Sequence, residues 1–534
     1  MKFTLGWLKD YLDTDAGVKE IADRLTALGL EVEAMQNPAA DFAPFTVGLV
    51  REARPHPDAD RLQVCTVETG SGVVEIVCGA PNAHSGLKGV FAPAGTLIPG
   101  SGTVLKKSKI RGVESSGMLL SERELGISNE HDSIIELPAD AAVGAAYADV
   151  VGLDDPVIEI AITPNRQDCL GVHGIARDLA AAGVGRLRPL DIAAVAGSFA
   201  SPLGVELRFD AATADACPYF VGRTVRGVRN GPSPDWMQRR LRAIGLRPIS
   251  ALVDITNYMS FAYARPLHVF DADAVAGGIH VRLSRPGETL VALDGNEYTL
   301  DGAVTVIADD DGVLAMGGVI GGEPSGCTAD TVNVFIESAV FDPVRTATTG
   351  RRLQIESDAR YRFERGIDPE FTAPGCDEAT RLVLEICGGE ASQPVVAGAM
   401  PHWRRTFPFR ASRVHRLGGI DLPETESHRI LTGLGFTVEG DGEVARVTPP
   451  PWRPDIDGEA DLVEEVVRVH GFDNVPAVSL SRPGGIPAPI LTPLQRHVRT
   501  ARRTLAVRGL LEAVTWSFTS ARLAELFGGG DPDL

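Results

Sequence analysis

The feature that most restricts how this chain can fold is a change in the period of its apolar residues. Up to about residue 36 they recur at helical spacing, with Leu5, Leu8 and Leu12 on one face and Ile21, Leu25 and Leu28 on another before Gly29. From Phe45 to Leu137 the pattern turns to short alternating or β-branched runs, TVGLV, LQVCTVETG, VVEIVCG and GVFAPAG, broken by Gly and Pro. Short strands punctuated this often predict a small β-barrel. Helical spacing returns at Gly174 to Ala182. A barrel set between helical segments cannot belong to one repeating architecture, and 534 residues exceed what one hydrophobic core serves. Several domains of roughly 100–200 residues each are therefore expected.

Beyond residue 205 the periods mix. The block 205–395 combines strand runs such as IHVRLS and VTVIADDDGVLAMGGVIGG with helices around Trp236 to Gly245 and Asp377 to Cys387, an α+β pattern. A smaller block at about 404–475 ends in DLVEEVVRVHGF, an amphipathic helix stopped by Gly471. A linker with Pro483, Pro487, Pro489 and Pro493 leads to a basic helix from Leu494 to Arg508. RLTALGLEVE at Arg24 to Glu33 echoes ILTGLGFTVE at Ile430 to Glu439, each predicting helix, Gly cap and strand. Such a junction is common, and it also fits two small domains of one fold type.

With 71 acidic against 51 basic residues the net charge is −20, so no global field draws nucleic acid and any such contact must be local. Seven scattered cysteines without a C-x-x-C pair fit reduced cytosolic thiols better than a disulfide framework or structural zinc. There is no signal peptide and no apolar run of about 18 residues, which predicts a cytoplasmic protein with no membrane partner. Neither a P-loop nor a dinucleotide fingerprint is present.

The stretch VGLVREARPHPDADRLQVCTVETG, then VCGAPN, then FAPAGTLIPGSGTVLKKSKIRGVESSGMLLSERELGI resembles the tRNA-binding barrel shared by several synthetases and accessory factors. Lys106, Lys107, Lys109 and Arg111 would supply phosphate contacts from its rim, and the Ser115-Ser116-Gly117-Met118 turn would let backbone amides approach the nucleic acid. Without that setting, four charges in six residues are usually a solvated loop. Further along, ITPNRQDCLGVHGIARDLAA, RPISALVDITNYMSFAYARPLHVF, AMGGVIGGEPSG, FIESAVF, RYRFERGIDP and WRPDIDGEADLVEEVVRVHGFDNVP resemble, in order, the beta-subunit family of bacterial phenylalanyl-tRNA synthetase.

The resemblance implies a multidomain α+β chain. An N-terminal helical and α+β domain (1–39 and 150–200) would carry an inserted OB-fold tRNA-binding barrel (40–149), followed by an α+β editing domain (205–395). A small winged-helix-like, magnesium-binding domain contacting the alpha subunit (402–476) and an incomplete class II synthetase-like core (485–534) would complete it. The implied function is to support, with the alpha subunit, ATP-dependent charging of tRNA-Phe, and to hydrolyse mischarged Tyr-tRNA-Phe. ATP and the aminoacylation site would lie on the alpha subunit, in a complex of two alpha and two beta chains.

The editing residues implied are Arg247, Thr256, Asn257, His268, Glu337, Ser357 and Ala359. Ser357 stands where the family commonly has Thr. An apolar site for phenylalanine rejects an analogue with one added hydroxyl by only about 10²-fold, so a second site holding a buried acceptor for that hydroxyl is needed. Glu337 would be the acceptor, Ala359 would leave room for the para position, and the Gly317-Gly318 and Gly321-Gly322 turns would line the pocket. His268 would orient or activate water, while Arg247, Thr256 and Asn257 hold the terminal adenosine. On its own, a His between Leu267 and Val269 is usually a core residue. No Ser-His-Asp or Cys-His signature appears, so direct hydrolysis is expected. Asp461, Glu464 and Glu465 at i, i+3 and i+4, with Asp455, would bind Mg²⁺. On spacing alone they would form a solvated acidic face paired with Arg468. Two other functions fit the same residues: a tRNA-binding protein with a vestigial pocket, and a deacylase acting in trans.

Overall fold

The computed structural model describes residues 1–127, 130–440, 443–479 and 489–528. It divides into two compact units, Met1–Pro476 and Ala477–Leu534.

The first unit opens with β1 (Lys2–Thr4), α1 (Leu5–Tyr11), α2 (Val18–Ala27) and β2 (Val32–Gln36). Thr4 starts α1 by accepting the Trp7 N–H at 3.1 Å, and Trp7, Leu8 and Leu12 drop into the core. Five strands follow: β3 (Thr46–His56), β4 (Ala59–Thr69), β5 (Gly72–Cys78), β6 (Lys88–Pro93) and β7 (Gly117–Leu119), in the order β7-β6-β3-β4-β5. The two edges meet, since Ser116 N–H donates to the Glu75 carbonyl at 3.0 Å and Val77 N–H to Ser115 Oγ at 3.1 Å. A Cβ on Gly117 would sit 2.4 Å from Phe91 Cε2. The Ser115–Met118 turn is thus used for closure and packing, and the Ser116 amide is not free for nucleic acid as its motif suggested. The chain then returns as β8 (Val157–Ile160), which inserts between β1 and β2, and α3 (Val172–Ala181) packs on α1.

The next part carries β9 (Val205–Arg208), β10 (Tyr219–Arg226), α4 (Asp235–Ala243), α5 (Ala251–Tyr263), β11 (His268–Asp271), β12 (Ile279–Leu283), β13 (Thr305–Ala308), β14 (Val313–Met316), β15 (Ile320–Gly321), β16 (Asn333–Val340), α6 (Asp358–Phe363) and α7 (Thr372–Cys387). One sheet runs β11-β16-β10 and the other β9-β12-β13-β14-β15. Helices α5 and α7 cover the first sheet with a face that is nearly continuously apolar. Helix α7 begins five residues before the predicted Asp377, because Pro374 falls in its first turn, where no N–H is required. A small part follows with β17 (Phe407–Arg410), α8 (Glu424–Gly433), β18 (Thr437–Glu439), β19 (Val444–Thr448) and α9 (Glu459–His470). The two echoed segments adopt the same junction. Leu30 N–H reaches Leu25 O at 2.9 Å and Phe436 N–H reaches Leu431 O at 3.0 Å, each across a glycine at positive φ, Gly29 (85°) and Gly435 (94°).

The second unit contains α10 (Pro493–Val507), started by a reciprocal Thr492–Gln495 capping box, and α11 (Ala521–Phe527). Most of the predicted Pro-rich linker, 480–488, lies outside the described residues. No described helix is long and apolar enough to cross a membrane.

Candidate functional site

His268 opens β11 and pairs across the antiparallel ladder with Glu337 in the middle of β16, so both side chains emerge on one face of the sheet. Glu337 is buried and its Oε1 has no hydrogen-bond partner among the described residues. Burial pushes its carboxyl up to about 7, with Arg265 and the Ala339 backbone N–H only partly restraining it. His268 Nε2 is likewise enclosed without a partner among the described residues, and burial lowers the imidazole to about 4, which keeps it neutral at physiological pH. Its ring meets Phe270 edge-on at 4.4 Å.

Both residues line an inner cavity of about 60 Å³ walled by Met316, Gly318, Gly321, Phe341, Ala359 and Phe363, among others. His268, Gly321 and Ala359 also line an outer cavity of about 350 Å³ that Thr256, Asn257 and Ser357 complete. Gly321 has a steric reason to be glycine, since a Cβ would lie 2.3 Å from His268 Cε1.

Of the seven residues singled out in the sequence, six therefore converge. Arg247 does not: it is exposed in the segment before α5 and lines neither cavity. Ser357 has a structural task, donating to Val319 O at 2.5 Å and capping α6 by accepting the Arg360 N–H at 3.0 Å. It ties α6 to the glycine loop instead of offering a free hydroxyl. Thr256 Oγ1 donates back to Val253 O at 2.8 Å. Sequence reasoning missed Arg265, which is 1% exposed and donates to Ser338 Oγ (2.9 Å) and Ala339 O (2.8 Å), clamping the backbone just past Glu337. Its signal was an arginine in the apolar run ARPLHVF. The aromatic walls Phe341 and Phe363 were missed too, as their roles depend on contacts distant in sequence.

The four carboxylates expected to hold magnesium do not form a ligand set. Glu465 is 1% exposed and lies between Arg453 (2.5 Å) and Arg468 (2.6 Å). Asp455 pairs with Arg453 at 2.7 Å, and Asp461 caps α9 by accepting the N–H groups of Asp457 (2.7 Å) and Gly458 (2.9 Å). Glu464 is exposed. Arg468 continues to Asp178, which Arg166 also holds, making a buried network between α3 and α9. Burial opposes ionisation of Glu465 and Asp178, but the arginines outweigh it, holding Glu465 well below the usual range and Asp178 at about 2. Among the described residues the one cluster with metal-like spacing is Asp168, Cys169 and Asp178, and there Arg166 donates to all three. Asp455, Glu465, Asp168 and Asp178 are thus taken up by guanidinium groups and Asp461 by backbone N–H groups.

Lys106, Lys107, Lys109 and Arg111 are all exposed on and beside the hairpin formed by Ser108–Ile110 and Val113–Ser115. Lys107 pairs with Glu114, and Arg111, at φ 45° in the turn, donates to Asp58 O at 2.9 Å. Lys106 and Lys109 make no ion pair among the described residues.

A basic hairpin on a closed sheet, joined in one chain to a second domain enclosing an unpaired carboxyl, calls for a component of the tRNA-charging machinery, and family profiles agree. They match a putative tRNA binding domain at 45–146, a B3/4 domain at 216–388 and a tRNA synthetase B5 domain at 407–472. The chain is 58% identical over 536 residues to the phenylalanine–tRNA ligase beta subunit of Rhodospirillum rubrum, covering all of this chain and 67% of that protein. It is 54% identical over 534 residues to the beta subunit of Paramagnetospirillum magneticum, again covering all of this chain and 67% of that one. An N-terminal fragment of the beta subunit from Pyrococcus horikoshii aligns at 18% identity over 59% of this chain and 88% of that one, with a TM-score of 0.32. The chain belongs to the phenylalanine–tRNA ligase beta-subunit family and spans about two thirds of the length of these bacterial relatives.

Proposed function

We propose that this chain grips tRNA through the basic hairpin and removes tyrosine from mischarged tRNA-Phe in the cavity at Glu337, as the beta component of phenylalanine–tRNA ligase. The observation that carries the reading is the buried Glu337 Oε1 with no partner in the inner cavity. A phenol hydroxyl there satisfies the acceptor, whereas a phenyl ring leaves it unpaired. Sites built on that difference discriminate by about 10⁴–10⁵. The outer cavity would hold the ester and the terminal adenosine beside Thr256 and Asn257. Neutral His268 can accept a proton from the attacking water. Hydrolysis is direct on this reading, because the Ser357 hydroxyl already donates to Val319 O and burial pushes the nearby Cys217 thiol well up.

The same reading includes the OB-type barrel, the winged-helix-like small domain, the start of a class II core, and assembly as two alpha and two beta chains. ATP and the charging reaction belong to the alpha subunit. Magnesium has no place at Asp455, Asp461, Glu464 and Glu465 in this reading.

The test is to incubate tRNA-Phe carrying tyrosine with the chain alone and with an alpha subunit added. Tyrosine release in either case, lost in Glu337→Ala while tRNA binding persists, is the expected result. Undiminished release by Glu337→Ala would rule the assignment out.

A further inference from the structure

A second cavity lies within the first unit, where α3, the end of α5, the segment between α6 and α7, and the segment before α9 meet. The guanidinium of Arg177 lies 3.9 Å over the ring of Trp452 and makes no hydrogen bond or ion pair among the described residues, and its Nε is shut off from solvent. Arg177 is half-buried, and an enclosed donor such as its Nε is costly to leave without an acceptor. Asp368 lines the same cavity but is not ion-paired with Arg177. Its Oδ1 accepts the backbone N–H groups of Glu370 (2.9 Å) and Phe371 (3.2 Å), which leaves Oδ2 without a donor among the described residues. The remaining charge in the wall, Asp168, is already paired with Arg166 at 3.1 Å. Tyr263 and Phe371 supply apolar surface.

The ligand that completes this cavity must therefore carry one anionic and one cationic group and an apolar remainder. A phosphate does not qualify, because both carboxylates would repel it. We propose that the cavity binds a free α-amino acid with an apolar side chain, its carboxylate on Arg177 and its ammonium on Asp368. Arg177, with its Cζ 3.9 Å over the Trp452 ring, carries a planar set of N–H donors that matches a carboxylate in a fork. Burial raises the Asp368 carboxyl to about 6, with Arg177 opposing, as suits a carboxylate awaiting a cation. The site is separate from the Glu337 cavity and does not depend on its function.

Calorimetric titration of the full chain with L-leucine and with L-phenylalanine tests this. L-leucinamide, which lacks the carboxylate, N-acetyl-L-leucine, which lacks the ammonium, and inorganic phosphate serve as controls. Saturable binding of a free amino acid is expected. It should weaken at least about tenfold for both blocked forms and in Arg177→Met and Asp368→Asn, and survive in Glu337→Ala. Because Arg177 also packs on Trp452, the blocked ligands probe the same assignment on the unaltered chain. The proposal is overturned by no saturable binding of either amino acid, by equal binding of the blocked forms, by undiminished binding in both cavity variants, or by phosphate binding more tightly than both amino acids.

Discussion

Two regions of this molecule bury ionisable side chains, and they treat them in opposite ways. Between α3 and α9 the carboxylates of Asp178 and Glu465 each receive two arginines, and both Arg453 and Arg468 bridge two carboxylates. At β11 and β16, Glu337 is likewise buried and His268 half-buried with its Nε2 enclosed, yet Oε1 and Nε2 have no partner among the described residues. The first arrangement is complete within the protein and holds two parts of the chain together. The second is incomplete within the described residues, and on the proposed function its partner is a ligand. Whether a buried charge is matched by its neighbours thus separates a structural cluster from a site more reliably than residue type does, since both regions are rich in carboxylates.

The contrast can be broken most directly in the network. Arg468→Met leaves Asp178 and Glu465 buried with one cation fewer each and should lower stability by about 3–5 kcal/mol. A melt within about 1 kcal/mol of the parent would mean the pairing is not structural. Glu337 should behave in the reverse sense. Its carboxyl is raised from 4.5 to about 7 in the folded chain. The unfolded chain therefore loses its proton first as pH rises, and folding is weakened progressively from about pH 4.5 to about pH 7 and by a constant amount above. The gap corresponds to about 3 kcal/mol, so Glu337→Gln should gain up to that much at about pH 8 and nothing near pH 4.5. A pH-independent difference in melting would contradict the uncompensated state of the carboxyl.

A smaller effect sharpens the comparison on the catalytic side. Gly321→Ala drives a methyl into His268, so tyrosine release should fall about tenfold or more, with a loss of stability of about 1–3 kcal/mol from overpacking. Unchanged release would remove His268 from the chemistry. The smallest effects belong to the hairpin, where Lys106→Ala and Lys109→Ala should each reduce the salt slope of tRNA binding by roughly 1. Lys107→Ala should do less, because Glu114 already neutralises it. Equal slopes for the three variants would show that the pairing is irrelevant to binding.

Much of this was legible before any coordinates. The switch from helical to strand spacing marked the closed sheet, and FIESAVF with RPLHVF marked Glu337 and His268, which the ladder sets side by side. The pairing of the acidic helix was not legible from its spacing. Asp461, Glu464 and Glu465 share one helix face, but that face straddles the edge of the core, so Glu465 turns inward to Arg453 and Arg468 while Glu464 stays at the surface. The partners that decide the role of Arg468 were also out of reach, as Asp178 lies 290 residues away in sequence. Arg265 and the phenyl walls of the pocket were hidden for the same reason, and Arg247 carried a motif but no position in the cavity.

The central claim is that the unpaired oxygen of Glu337 waits for a phenol hydroxyl. Its most direct test is the ratio of hydrolysis rates for Tyr-tRNA-Phe and Phe-tRNA-Phe, measured for the parent chain and for Glu337→Ala under identical conditions. The parent should favour the tyrosyl ester strongly, and the variant should lose most of that preference through slower tyrosine release. A ratio unchanged by the substitution would show that the buried acceptor does not choose the substrate.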